Sequence, residues 1–154
     1  MSRRAPPEMA VIGNSAIAGL IDREARYQWL CWPRIDGDPI FSALVGGPAP
    51  ERGYMSVELE GLASTAQSYE RNTAVLVTVL TAADGSALRI TDFAPRFKSA
   101  GRVFRPLSIV RIVEPVKEGF VRGRDPFGSN LELLDIASGV RQIIYQSTGV
   151  FEAP

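Results

Sequence analysis

Residues 74–93, AVLVTVLTAADGSALRITDF, decide the fold class. The first half is β-branched and apolar, and the second half alternates apolar with polar side chains, the period of a strand. Between the halves, Asp84-Gly85 predicts a hairpin closed by a two-residue type I′ turn, which needs positive φ at both central positions. In the first strand Val75, Val77 and Val79 share one face, while Leu76, Thr78 and Leu80 share the other. Both faces are apolar enough to be at least half buried, which suits an inner strand of a sandwich.

Further strand candidates lie on either side, at 15–21, 27–32, 54–59, 107–113, 119–122 and 140–146. Short strands separated by roughly 8 to 12 residues predict an all-β antiparallel sandwich. Residues 22–26 read as a polar turn, so 15–21 and 27–32 form a hairpin. Strict alternation then places Gln28, Leu30 and Trp32 on one face and Tyr27, Trp29 and Cys31 on the other. Prolines and Gly37 make 33–39 irregular. The stretch 39–45 predicts one short helix, with Pro39 at its first position and Gly46 and Gly47 at its stop. Glu114-Pro115 reads as a turn inside one domain. Residues 1–9, with two arginines and two prolines, read as a flexible arm, and 10–154 as a single domain.

Composition narrows the function. The chain has 154 residues, 45% of them hydrophobic, enough for a sizeable core. Its 17 Lys and Arg balance 17 Asp and Glu, so no basic field exists to hold a nucleic-acid backbone. No amphipathic basic helix or long apolar run points to a membrane. One cysteine gives no disulfide framework, and without a leader-like segment the expected location is the cytoplasm. The absence of histidine removes Ser-His-Asp and Cys-His catalysis and His-containing zinc sites, and no cofactor is expected.

The richest chemistry is in 29–38, which holds both tryptophans and the only cysteine. Aromatic rings beside a guanidinium and carboxylates are what a sugar-binding surface uses. The candidate substrate-binding residues are Trp32, Arg34, Asp36 and Asn14. Each also has a plainer reading. Trp29 and Trp32 can pack in a core, Arg34 and Asp36 can pair to shape their own loop, and Asn14 can serve a turn. Cys31 reads as an inert buried thiol. Asp92 reads as a structural acceptor rather than a catalyst, and Lys98, Arg102 and Arg105 as a solvated loop.

The blocks Gly13-Asn14, Leu20-Ile21-Asp22, Trp29-Leu30-Cys31-Trp32-Pro33-Arg34, Asp36, Asp38-Pro39, Phe41 and Gly46-Gly47 together resemble the trehalase-like N-terminal domain of glycoside hydrolase family 15, the glucoamylase and trehalase group. Later blocks agree in order: Tyr69, Thr73, Val75-Leu76 and Thr78, then Thr91-Asp92-Phe93-Ala94-Pro95, then Ile109-Val110-Arg111-Ile112-Val113, and loosely Gly128-Ser129-Asn130. Two departures stand out: Ala25 where the family's turn carries glycine, and Ala94 where it carries methionine. Similarity fades after Val121, and the resemblance implies a domain cut short at its C-terminus.

The resemblance implies a supersandwich-like β-sandwich that precedes an (α/α)6 catalytic barrel, in cis or as a separate chain. Such enzymes hydrolyse α-glucosidic bonds with inversion, using two barrel glutamates that this chain lacks. It therefore implies an accessory domain, inactive alone, with an α-glucoside as ligand. A free-standing carbohydrate-binding domain, or a structural or interaction domain without catalysis, is the alternative, and self-association stays open.

Overall fold

The structure is a computed structural model that describes residues 8–47, 50, 52–117, 120–124 and 130–135. Residues 1–7 of the arm expected at 1–9, the strand candidate at 140–146 and the Gly128-Ser129 block lie outside these residues.

The decisive hairpin forms as β7 (Leu76–Ala82) and β8 (Ala87–Phe93). Its turn differs from the expected one. The Gly85 amide donates to Ala82 O at 3.0 Å, the Ala82 amide donates to Ser86 O at 2.8 Å, and only Gly85 has positive φ (85°). The loop is thus three residues, a type I turn followed by a left-handed glycine. Asp84 accepts from the Ser86 amide at 2.8 Å, which favours that geometry.

β7 lies inside a four-stranded antiparallel sheet ordered β11-β8-β7-β6, with β6 at Leu62–Tyr69 and β11 at Val110–Lys117. Along β7 Leu76, Thr78, Leu80 and Ala82 are buried and the residues between them half-buried, as an inner strand requires. Strand β6 carries no apolar alternation because it is an exposed edge. Pro115 is no turn. It sits within β11 beside a register shift, and as an edge strand β11 tolerates its missing amide.

A second four-stranded sheet runs β1-β2-β3-β4, from Ala10–Gly13, Ala18–Ile21, Tyr27–Cys31 and Pro39–Phe41. Pro39–Phe41 is a strand, so the expected helix shrinks to a 3₁₀ turn at Ala43–Val45. Pairing of Leu30 with Phe41 and Cys31 with Pro39 outcompetes helical propensity. The alternation expected in β3 also fails. Leu20 pairs with Trp29 but Ile21 pairs with Tyr27, so Gln28 is an extra residue. That bulge turns Tyr27 inward beside Leu30, and both are fully buried, while Trp29 is only half-buried.

The turn before β3 is organised by Asp22, whose Oδ1 accepts from the amides of Glu24 and Arg26, each at 2.9 Å. Ala25 there has φ 60°. The strain of about 1 kcal/mol is offset by roughly 0.8 kcal/mol from burying its methyl, since Ala25 is 0% exposed.

β5 (Ser56–Leu59), β12 (Phe120–Arg124) and β13 (Asn130–Asp135) form a three-stranded sheet ordered β13-β12-β5, and β9 (Phe97–Ser99) and β10 (Arg102–Phe104) form a hairpin of their own. Two apolar clusters join the layers. Leu59 meets Leu80, Leu88, Ile90 and Val113 in one, and Ile12, Ile21, Tyr27, Leu30 and Phe41 meet Leu76 in the other. The Tyr69 hydroxyl adds a polar link by accepting from the Val11 amide and donating to Val11 O, both at 2.8 Å. The architecture is a β-sandwich.

Candidate functional site

Antiparallel order fixes where the candidate residues sit. The turn 14–17 leaves β1 and enters β2, and the loop 32–38 leaves β3 and enters β4. Gly13 pairs with Ala18, Gly19 with Leu30 and Cys31 with Pro39, so both connections emerge at the same end of the sheet.

The loop is short and self-bonded. The Trp32 amide donates to Asp38 O at 3.2 Å and the Gly37 amide to Arg34 O at 3.0 Å. A Cβ at Gly37 would lie 3.3 Å from the carbonyl oxygens of both Arg34 and Trp32, so the tight turn favours glycine. Within it Arg34 forks onto Asp36: Nε donates to Oδ1 and Nη2 to Oδ2, each at 2.8 Å. Both side chains are open to solvent, at 75% and 64% exposure. The hydrogen bond from Arg34, helped by a backbone bond, holds the Asp36 carboxyl below the usual carboxylate range, and Asp36 raises the Arg34 guanidinium in turn. Trp32 is half-buried next to this fork, and Ile35 at its crest is exposed. The Arg34 guanidinium and the Asp36 carboxylate are thus presented to solvent, with Trp32 two residues before Arg34 at the start of the loop.

Asn14 shares that end of the sheet but is 1% exposed. Its Nδ2 donates to Pro95 O at 3.0 Å and Pro106 O at 2.8 Å, and its Oδ1 accepts from the amides of Ala16 and Ile17. Both amide protons and both acceptor positions are in use. The structure therefore pairs Arg34 with Asp36 on the loop that Trp32 opens, and makes Asn14 a buried clamp of the 14–17 turn on Pro95 and Pro106.

A second arginine-aspartate fork lies in the core. Arg111 Nε and Nη2 donate to Asp92 Oδ1 and Oδ2 at 2.7 and 2.9 Å, and Nη2 also donates to Ala25 O at 2.7 Å. The Tyr27 hydroxyl donates to Asp92 Oδ1 at 3.2 Å, and the guanidinium carbon stands 4.5 Å from the Tyr27 ring centroid. Asp92 is fully buried, so it is a structural acceptor. Burial, then the Asp92 charge, pushes the Tyr27 phenol well above its ordinary value. Burial opposes the Arg111 charge, but the Asp92 carboxylate outweighs it and the guanidinium is held more basic than usual. The sequence reading missed Arg111. A single arginine inside the apolar strand Val110–Lys117 was the available signal, since a charge there needs a partner.

Among the described residues, no group of three or more His, Cys, Asp and Glu side chains gathers to hold a metal ion. No described helix is long and apolar enough to cross a membrane.

The family described as trehalase-like, N-terminal, matches residues 3–129. The chain belongs to that family. The matched span of this trehalase-like N-terminal domain includes the 32–38 loop, the Asn14 clamp and the buried Arg111–Asp92 fork. Membership makes it an accessory domain of a glycoside hydrolase-like protein and implies a catalytic domain in cis. No match is found among curated proteins or solved structures.

Proposed function

We propose that this chain serves a family 15 type α-glucosidase of the glucoamylase and trehalase group, supporting an (α/α)6 barrel and rimming its active site with the 32–38 loop. The observation that carries the reading is the exposed Arg34–Asp36 fork beside Trp32, inside a trehalase-like N-terminal domain. In this reading the barrel supplies the acid and the base for inverting hydrolysis. The loop contributes binding: Asp36 accepts from sugar hydroxyls, Arg34 donates to them, and Trp32 offers a face for the apolar side of a pyranose. Asn14 acts by positioning, because its amide is committed to the backbone.

In the enzyme carrying both domains, Arg34→Ala is expected to raise KM for a short α-glucoside several-fold with kcat little changed. An unchanged KM would remove the rim role. Glucose release from trehalose or maltooligosaccharides by the purified chain alone would overturn the accessory reading. The half-buried Trp32 also suits a free-standing carbohydrate-binding domain. A saturable change in tryptophan fluorescence on titrating the chain with trehalose or maltose would favour that second reading.

A further inference from the structure

The hairpin β9–β10 is unlike the rest of the molecule. Its two strands pair only with each other, and every residue from 96 to 105 is exposed. A two-stranded hairpin alone is marginal in water, yet this one is fixed at its base. The buried Asn14 amide holds both ends, donating to Pro95 O and Pro106 O, and Arg96 Nη1 reaches Ser15 Oγ at 3.4 Å. Asn14 thereby brings the hairpin to the end of the sheet that carries the 32–38 loop.

Its surface has two components. Phe97 and Phe104 stack at 5.5 Å with an interplanar angle of 13°, and they remain 50% and 42% exposed. The opposite face of the hairpin carries Val103, paired with Lys98, and Leu107 follows the second strand, at 44% and 47% exposure. The hairpin also carries Arg102 on the ring face, Lys98 on the opposite face and Arg96 and Arg105 at its base, with no acidic residue between Asp92 and Glu114. No ion pair engages these cations among the described residues. In a chain of zero net charge this is a local excess of four positive charges beside solvated aromatic rings.

We infer that the Phe97–Phe104 hairpin is a docking arm that seats in an apolar groove with an acidic rim on a partner protein domain. The inference rests on the proposed function and names its catalytic domain as that partner. The chemistry selects among occupants. Four unpaired cations call for carboxylates opposite them and disfavour a second copy of the same basic arm. The phenylalanines lie at the base of the hairpin, while its tip is Ser99, Ala100, Gly101 and Arg102. Insertion into a bilayer needs apolar residues at the tip, so a flank-on protein groove fits better. A nucleic acid would leave the stacked pair without a dry counter-surface.

The test uses the full chain and its catalytic domain as two polypeptides, titrated by calorimetry at low and high NaCl. Phe97→Ser with Phe104→Ser, and separately Lys98→Glu with Arg102→Glu, are each expected to weaken binding at least about tenfold, equivalent to 1.4 kcal/mol. The charge-reversed pair is expected to abolish the loss of affinity with salt. These positions are exposed, and circular dichroism and thermal unfolding verify that the variants keep the fold. Binding by wild type with no loss in either variant overturns the arm and leaves the accessory role standing. No binding by wild type fails the accessory reading, and the arm with it. Binding to phosphatidylserine vesicles, to a DNA oligonucleotide or to a second copy that both variants abolish overturns the assignment in favour of that occupant.

Discussion

The molecule contains the same ion pair twice, in opposite surroundings. Arg34–Asp36 and Arg111–Asp92 are both bidentate forks with bonds of 2.7–2.9 Å. The first joins residues two apart on an open loop. The second joins residues 19 apart, with side-chain exposures of 5% and 0%. Geometry is shared, so the environment sets what each does. Water screens the outer pair, which fixes loop shape at little energetic consequence and leaves its polar atoms open to solvent. Two charges removed from water are strongly penalised unless each has its partners. The inner fork meets most of that demand with Ala25 O and the Tyr27 hydroxyl and ring, leaving Arg111 Nη1 without a hydrogen-bond partner among the described residues, and so it couples β8, β11, the 22–26 turn and β3.

Removing one half of each fork separates the two roles. Arg111→Met leaves the Asp92 carboxylate buried without its countercharge, and the expected loss is about 3–5 kcal/mol in urea unfolding. Adding Asp92→Asn to that variant is expected to restore part of the loss, because the orphaned charge goes too. A loss equal to the sum of the two single changes would break the view of the fork as one unit.

Asn14→Ala comes next. Four backbone groups lose their partner, and a destabilisation of about 1–3 kcal/mol is expected. Faster amide exchange should spread through 95–106, and exchange confined to 14–17 would mean that the hairpin base does not depend on the clamp.

Tyr27→Phe keeps the ring against Arg111 and removes one hydrogen bond, for about 1 kcal/mol. It also tests a pH dependence. The folded-state phenol is raised, so its contribution is fully present below the unfolded value of about 10 and is lost as pH rises through the folded one. Wild type should therefore lose stability above about pH 10, and the phenylalanine variant should lose less.

At the outer fork the expected effect is smallest. Asp36→Ala should leave the denaturation midpoint within error of wild type. Since Asp36 is depressed in the folded state, the fork is intact above the ordinary carboxylate value of about 3.9 and opens as pH falls through the lower folded value. Tryptophan fluorescence of a Trp29→Phe variant, in which Trp32 alone emits, follows that opening, and a transition centred well above pH 4 would contradict the depressed carboxyl.

Much of this is legible in the sequence alone. Alternation and β-branching marked β7 and β8, and the order of the Gly13–Gly47, Tyr69–Thr78 and Thr91–Val113 blocks marked the family. The misreadings share one cause, which is that local signals lost to pairing between strands. Gln28 looked like an ordinary strand position until the β2–β3 register made it a bulge, and Pro39 looked like a helix start until Cys31 paired with it. β6 went unread because an exposed edge strand of mostly small and polar residues carries little periodic signal, and β1 because four residues are too few to show a period. The Arg34–Asp36 pairing was readable because the two residues are neighbours in sequence. Arg111 and the 97–104 hairpin were not, because their partners are Asp92, Ala25 and Asn14, far away along the chain.

The sequence by itself determined the all-β class, the family and the chemistry of the 29–38 block, since each is written in residues close together along the chain. Only the tertiary structure decided which arginine-aspartate pair is buried, and that Asn14 clamps a basic aromatic hairpin beside the loop. Burial and long-range hydrogen bonds depend on which strands lie against each other, and local sequence does not encode that.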